Sequence, residues 1–150
     1  MTQRPAGRQL AAPLENPKSE RVRQVASLAG RSARQRNALM LVEGPQAVRE
    51  AVAWASAMVR DLYADREALV RYPDIAQAAL DAGLYVHPVS EAVGKALSSD
   101  SQGIVATVSL DALEAAPGGG PVVIDAAPVV ILSAVRDPGN LGTAIRVADA

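Results

Sequence analysis

The residues best placed to do chemistry lie near the end of the 150-residue chain, in the stretch VVILSAVRDPGNLGTAIRVADA at residues 129–150. Arg136, Asp137, Pro138, Gly139 and Asn140 form a polar turn, and Arg146 follows six positions after Asn140. Asn140 is a favoured helix cap, and the free backbone N–H groups at such a helix start can hold an anion or another polar ligand. Arg146, under two turns further on, has a side chain long enough to reach back towards the turn. The chemistry this offers is the binding of a phosphate or similar anion. A plainer reading stands beside it, because strand-turn-helix units are common in α/β proteins and an arginine on such a helix is often only solvated.

The neighbouring elements must position that turn. Val129, Val130, Ile131 and Leu132 read as a buried parallel strand. Pro138 and Gly139 interrupt regular structure, and Leu141, Ala144, Ile145 and Ala148 then recur at helical spacing. The expected order is strand, tight turn, helix.

Composition bounds the rest. Apolar residues make up 49% of the chain but aromatic ones only 3%, with no Phe, so the core must be built from Ala, Val, Leu and Ile. Cysteine is absent and His87 is the single histidine. Disulfides and Cys-ligated zinc are excluded, and a His-based metal site or a Ser-His-Asp triad is disfavoured. No apolar run is long enough to span a membrane, and no secretory signal is seen, so a cytoplasmic protein without a membrane partner is expected. The net charge of −1 conceals an asymmetry: residues 1–36 hold eight basic side chains against two acidic ones, a net of +6, and the remainder carries −7. A basic arm on an acidic body points to a polyanion contacted through that arm.

Taken in order, residues 1–15 read as a flexible lead. Asn16-Pro17 then opens a helix with Asn as cap and Pro at its first position. Its apolar face holds Val22, Val25 and Leu28, and Arg21, Arg23, Arg34 and Arg36 flank it as a candidate clamp on a nucleic-acid backbone. Strands are expected at Ala38–Glu43, Val59–Ala64, Leu84–Val89 and Gly103–Val108, with helices between them. Pro88 argues for a strand end or an edge, Trp54 for a core or interface anchor, and His87 for a structural or surface residue. The repeated order predicts a three-layered α/β unit from about Leu39 to Ser109. Pro117-Gly118-Gly119-Gly120-Pro121 marks a linker; it lacks the Lys-Ser/Thr pair of a phosphate loop. The expected organisation is a basic arm and helix at 1–37, an α/β domain at 38–109, a linker at 110–127, and the start of a second domain at 128–150. The second domain is read as incomplete, because no C-cap signal follows Arg146.

The letters DPGNLGTAIRVADA resemble the first signature motif of the SpoU/TrmH class of SPOUT RNA methyltransferases, with Asn140, Gly142 and Arg146 in the matching places. Upstream, Asn16-Pro17 with Val22-Arg23 and Leu28, Leu41-Val42-Glu43-Gly44, and Gln102-Gly103-Ile104 with Ala106 are similar to further segments of that class, in the same order. The resemblance implies that Leu39–Ser109 is a small α/β RNA substrate-binding domain of ribosomal-protein type. It implies that Val129 begins a catalytic domain folded as a trefoil knot, which dimerises. The implied reaction is methyl transfer from S-adenosylmethionine to a ribose 2′-hydroxyl of structured RNA, rRNA in preference to tRNA, with the cofactor site beyond residue 150. Arg146 then matches the catalytic arginine. Its guanidinium cannot serve as a free base, so it would hold a phosphate and stabilise charge near the attacking oxygen. Asn140 would support it, and Glu43 matches a further family position. Two other functions remain open on the residues: a non-catalytic RNA-binding module, and a nucleotide-binding enzyme that uses the 137–140 turn.

Overall fold

The computed structural model describes residues 9–115 and 138–148. The chain divides into two compact units, Met1–Gly119 and Gly120–Ala150.

In the first unit β1 (Gln9–Leu10), β2 (Leu39–Glu43), β3 (Val59–Asp65), β4 (Tyr85–Val89) and β5 (Ile104–Ser109) form one mixed sheet in the order β1-β4-β3-β5-β2. β1, β4 and β3 run parallel, while β5 is antiparallel to both β3 and β2. The helices are α1 (Glu20–Ser27), α2 (Arg31–Asn37), α3 (Pro45–Ala55), α4 (Arg66–Arg71), α5 (Pro73–Asp81), α6 (Glu91–Leu97) and α7 (Leu110–Glu114).

Strand alternation sorts the side chains into two cores. Leu62, Ala64, Val86, Ile104, Ala106 and Val108 pack with Val48 and Val52 of α3, Ala68 of α4, and Ile75 and Ala79 of α5. On the other face Tyr63, Val89 and Val105 pack with Val22 and Val25 of α1 and with Val93 and Leu97 of α6. The expected three layers are present, and α1 is a full member of one of them.

Several expectations need correction. The first helix begins at Glu20, because the Ser19 hydroxyl accepts from the Val22 N–H; the Asn16 side chain instead accepts from the Lys18 N–H in the preceding turn. Residues 9–14 do not form a free lead: β1 pairs with β4, and Leu14 bridges Val89. Ala38 stands in the left-handed region, at φ 49°, so β2 starts at Leu39. Pro88 lies inside β4 and not at a free edge. The Leu14 N–H donates to the Pro88 carbonyl, so the missing Pro88 N–H faces the side where β1 has already ended. Trp54 is no core anchor; it is 84% exposed on α3, whose inward face is taken by Val48 and Val52. A short helix, α7, stands at the start of the stretch read as linker.

In the second unit α8 spans Pro138–Ala148. It starts three residues earlier than the expected first helical residue, Leu141. Proline suits the first position of a helix, where no N–H partner is needed, so Asn140 lies within α8 and does not cap it. The expected strand at Val129–Leu132 and the glycine-rich linker at 117–121 lie outside the described residues.

Candidate functional site

The first unit carries the basic residues of the candidate interface on α1 and α2. The structure separates them into two kinds. Arg21 is turned inward over the sheet. Its Nη2 donates to Asp61 Oδ1 at 3.1 Å and its Nε to the Tyr63 hydroxyl at 3.2 Å. The guanidinium also lies 5.6 Å from the centre of the Tyr63 ring. Arg34 reaches back to cap α1, donating through Nη1 to the Leu28 and Ala29 carbonyls at 3.2 and 2.9 Å. Arg23 and Arg36 are exposed, as is Arg31, and none of these three side chains bonds another described residue.

The network under Arg21 is built by cross-strand register. Asp61 and Tyr63 of β3 stand opposite Tyr85 and His87 of β4, all on the α1 face. His87, 4% exposed, brings Nε2 to 2.7 Å from Asp61 Oδ1. The Arg21 Nη2 lies 2.8 Å from the same ring nitrogen. One ring nitrogen cannot donate to the carboxylate and accept from the guanidinium at once; the Nε2–H tautomer satisfies the carboxylate and leaves two donors converging on Oδ1. The Tyr63 and His87 rings stack at 4.9 Å. Burial, reinforced by the charge of Asp61, holds the Tyr63 phenol above the ordinary tyrosine range, against the opposing pull of Arg21. Burial works to lower the Arg21 pKa, and bonding to Tyr63 and attraction to Asp61 outweigh it, so the group stays firmly charged.

A groove of about 590 Å³ runs beside β2, lined by Arg31, Arg34 and Gln35 on one wall and Met40, Leu41 and Glu43 on the other. At the carboxyl end of β3, Asp65 caps α4 by accepting from the Ala68 N–H at 2.8 Å. There Gly103, at φ 79°, lets the backbone lie against that carboxylate: an added Cβ would fall 2.3 Å from Asp65 Oδ2.

In the second unit Arg146 is exposed and curls back along its own helix. Its Nη2 donates to Thr143 Oγ1 at 3.2 Å, and Nη1 lies over Gly142, where an added Cβ would sit 3.7 Å away. Asn140 is exposed one and a half turns earlier, and no hydrogen bond joins it to Arg146 among the described residues. Together these present a guanidinium across the small Gly142 face towards the start of α8.

Among the described residues no cluster of His, Cys, Asp or Glu could hold a metal ion, and no helix is long and apolar enough to cross a membrane. The residues that sequence reasoning missed are Asp61 and Tyr63. Their signal was faint: two polar side chains at alternate positions of a strand that also carries Arg60 and Asp65.

Comparison with known proteins gives the arrangement a context. Residues 19–106 match the family described as the MRM3-like substrate binding domain. No curated protein is similar enough to match. Among solved structures the chain is similar to an RNA 2′-O ribose methyltransferase, at 25% identity and a TM-score of 0.62, covering 91% of this chain and 51% of that one. It is also similar to an RNA methyltransferase assigned to the TrmH family from Porphyromonas gingivalis, at 26% identity and a TM-score of 0.54, covering 88% and 48%. An AdoMet-bound rRNA methyltransferase from Sinorhizobium meliloti, at 16% identity and a TM-score of 0.52 over 67% and 37%, shares the fold. The chain thus spans about half the length, or less, of the solved structures it matches. The SpoU/TrmH resemblance and the α/β fold class read from the sequence are both borne out.

Proposed function

Because this chain belongs to the MRM3-like substrate binding domain family, we propose that it is the RNA-gripping half of an S-adenosylmethionine-dependent RNA 2′-O-ribose methyltransferase, together with the first helix of the catalytic half. The observation that carries this reading is the division of the arginines. Arg21 and Arg34 fix α1 and α2 in place, and Arg23, Arg31 and Arg36 are left facing solvent on the elements so fixed. Guanidinium groups held on a rigid surface without protein acceptors suit phosphate oxygens. The family match and the two methyltransferases at 25% and 26% identity support an RNA substrate, and the first of those two supports the ribose 2′-oxygen as target. Ribosomal RNA is proposed in preference to tRNA, as the resemblance implies.

A ribose hydroxyl is a poor nucleophile, so the site must hold it in line and stabilise its developing charge. In this reading Arg146 binds the adjacent RNA phosphate and that charge; its fixed protonation rules out service as a base. Gly142 leaves room for the guanidinium, and Asn140 lies on the same helix to orient it or the substrate. S-adenosylmethionine supplies the methyl group when bound, and no residue of this chain is assigned to hold it. The expected linker at 110–127 joins the two halves, and the whole enzyme is proposed to dimerise and to work in the cytoplasm.

The test is RNA binding by the 150-residue chain at several salt concentrations. Arg23→Gln with Arg36→Gln is expected to weaken binding and to flatten the slope of log affinity against log salt by about one for each phosphate that is no longer neutralised. A slope unchanged by both substitutions would refute the interface. Methylation by a protein that contains this chain and a complete methyltransferase domain is expected to vanish on Arg146→Ala while RNA affinity stays nearly constant.

A further inference from the structure

We propose that the crevice between α4 and α6 is a pocket for one unpaired guanine of the RNA. This rests on the reading of the chain as an RNA-gripping domain and gives that domain a means of choosing its transcript. Topology builds the crevice. β3 and β4 are adjacent and parallel, yet the helices that follow them leave on opposite faces of the sheet. Ala68 of α4 packs into the core of Leu62 and Val86, whereas Val93 and Leu97 of α6 pack into that of Tyr63 and Val89. Where such helices diverge, a cleft opens beyond the carboxyl ends of the strands, and α/β sheets bind their ligands there. This one holds about 250 Å³. That is a little under the usual range for a whole small-molecule ligand, roughly 300–1,000 Å³, and suits a single flat ring system.

The crevice carries polar groups with capacity to spare. Asp65 spends Oδ1 on the cap of α4, and no described residue donates to its Oδ2. Gly94 of α6 and Gly103 keep the space around that oxygen clear of Cβ atoms. Gln102 stands in the left-handed region, at φ 52°. Glycine would sit there without strain, so the Gln102 side chain is carried at a cost in backbone energy, which is the mark of a functional position. The Tyr72 hydroxyl donates to Gln102 Oε1 at 3.3 Å, leaving the Nε2 amide without a described acceptor. Asp65 and Gln102 both line the crevice, so it offers an unused acceptor and an unused donor.

Charge selects the occupant. Arg71 and Lys95 on the crevice walls are already paired, with Glu67 and Glu91 on their own helices. The Asp65 carboxylate has no cation of its own among the described residues, so a phosphate is repelled. Each ion pair uses one carboxylate oxygen, Oε1, and the walls are therefore richer in acceptors than in donors. Such a lining favours the neutral ring with the most N–H groups on its edge. Among the four RNA bases that is guanine, whose N1–H and 2-amino group face a carboxylate while O6 accepts from an amide. A base reaches such a pocket only when it is splayed out of a loop or bulge, the form in which RNA sequence is generally read.

The test is an NMR titration of the isotope-labelled 150-residue chain with single nucleotides. Guanosine monophosphate is expected to shift the amide signals of Gly94 and Gly103. It should bind more tightly than inosine monophosphate, which lacks the 2-amino group, and than the adenosine, cytidine and uridine monophosphates. Asp65→Asn keeps an oxygen to cap α4 but puts an amide in place of Oδ2, and should weaken guanosine monophosphate binding roughly tenfold or more. Gln102→Gly should also weaken it while leaving the melting temperature unchanged or higher, which a merely structural role for Gln102 would not do. With RNA, Asp65→Asn should erase the preference for a guanine over an adenine in an unpaired loop without flattening the salt slope, whereas Arg23→Gln with Arg36→Gln flattens the slope. Equal shifts with every nucleotide, or none at Gly94 and Gly103, would overturn the proposal and leave the RNA reading to its salt dependence. Guanosine monophosphate binding by a chain with no affinity for RNA would overturn it too, by making the crevice a site for a free nucleotide.

Discussion

Replacing Asp61 by Ala tests whether the carboxylate beneath α1 acts as an internal hub. Asp61 Oδ1 receives His87 Nε2 at 2.7 Å and Arg21 Nη2 at 3.1 Å, and its N–H donates to Thr107 Oγ1. The substitution leaves that backbone bond intact and orphans two side-chain donors. His87 is 4% exposed, so its abandoned N–H costs about 1–3 kcal/mol. The Arg21 side chain is 45% exposed, and water replaces its lost partner at a cost below about 1 kcal/mol. The sum is about 1–4 kcal/mol. For a unit of this size that lowers the melting temperature by roughly 4–30 °C. Urea denaturation followed by circular dichroism measures it. Double-mutant cycles separate the two parts: the Asp61–His87 coupling should exceed the Asp61–Arg21 coupling. Equal couplings, or a total loss below about 0.5 kcal/mol, would show that the carboxylate is solvated and that α1 is held by its valines alone.

Three further outcomes follow from the same geometry. Gly103→Ala should destabilise by more than about 1 kcal/mol, since both the positive φ and the Asp65 carboxylate oppose a Cβ; thermal melts check this. The Tyr63 phenol is raised by burial, so the folded state holds its proton more tightly than the unfolded chain. Its contribution is therefore complete below the ordinary tyrosine pKa and is lost as pH climbs through the folded value. Tyr63→Phe should flatten the alkaline limb of a stability-against-pH curve. Trp54→Ser should change stability by no more than about 0.5 kcal/mol, because the ring is 84% exposed; chemical denaturation measures it.

Local patterns are legible in the sequence and long-range partnerships are not. Val59–Ala64 is legible as most of β3 from Val59, Leu62, Tyr63 and Ala64, and the α4 helix at Arg66–Arg71 is bounded by the break before Pro73. Ser19 and Asn16 compete as caps within four residues, and the choice depends on where Val22 must point to reach the core. Asn140 has the look of a cap because glycine and proline precede it, yet Pro138 serves as the first helical residue. The arginines illustrate the limit most clearly. Counting charge identifies a basic segment, but Arg21 finds its carboxylate 40 positions away, and only the register of β3 against β4 reveals it. Trp54 misleads because size suggests burial while the apolar face of α3 is already filled by valines.

The seating of α1 has a practical consequence for anyone trimming the protein. Val22 and Val25 roof the sheet face that carries Tyr63, Val89 and Val105, so a shortened version beginning at Leu39 would lose its lid. Such a version should become sticky and poorly soluble, and its failure to grip a transcript would then say nothing about the excised cations. Minimal folded versions should begin no later than Gln9, and surface charge is best probed by exchange and not by deletion.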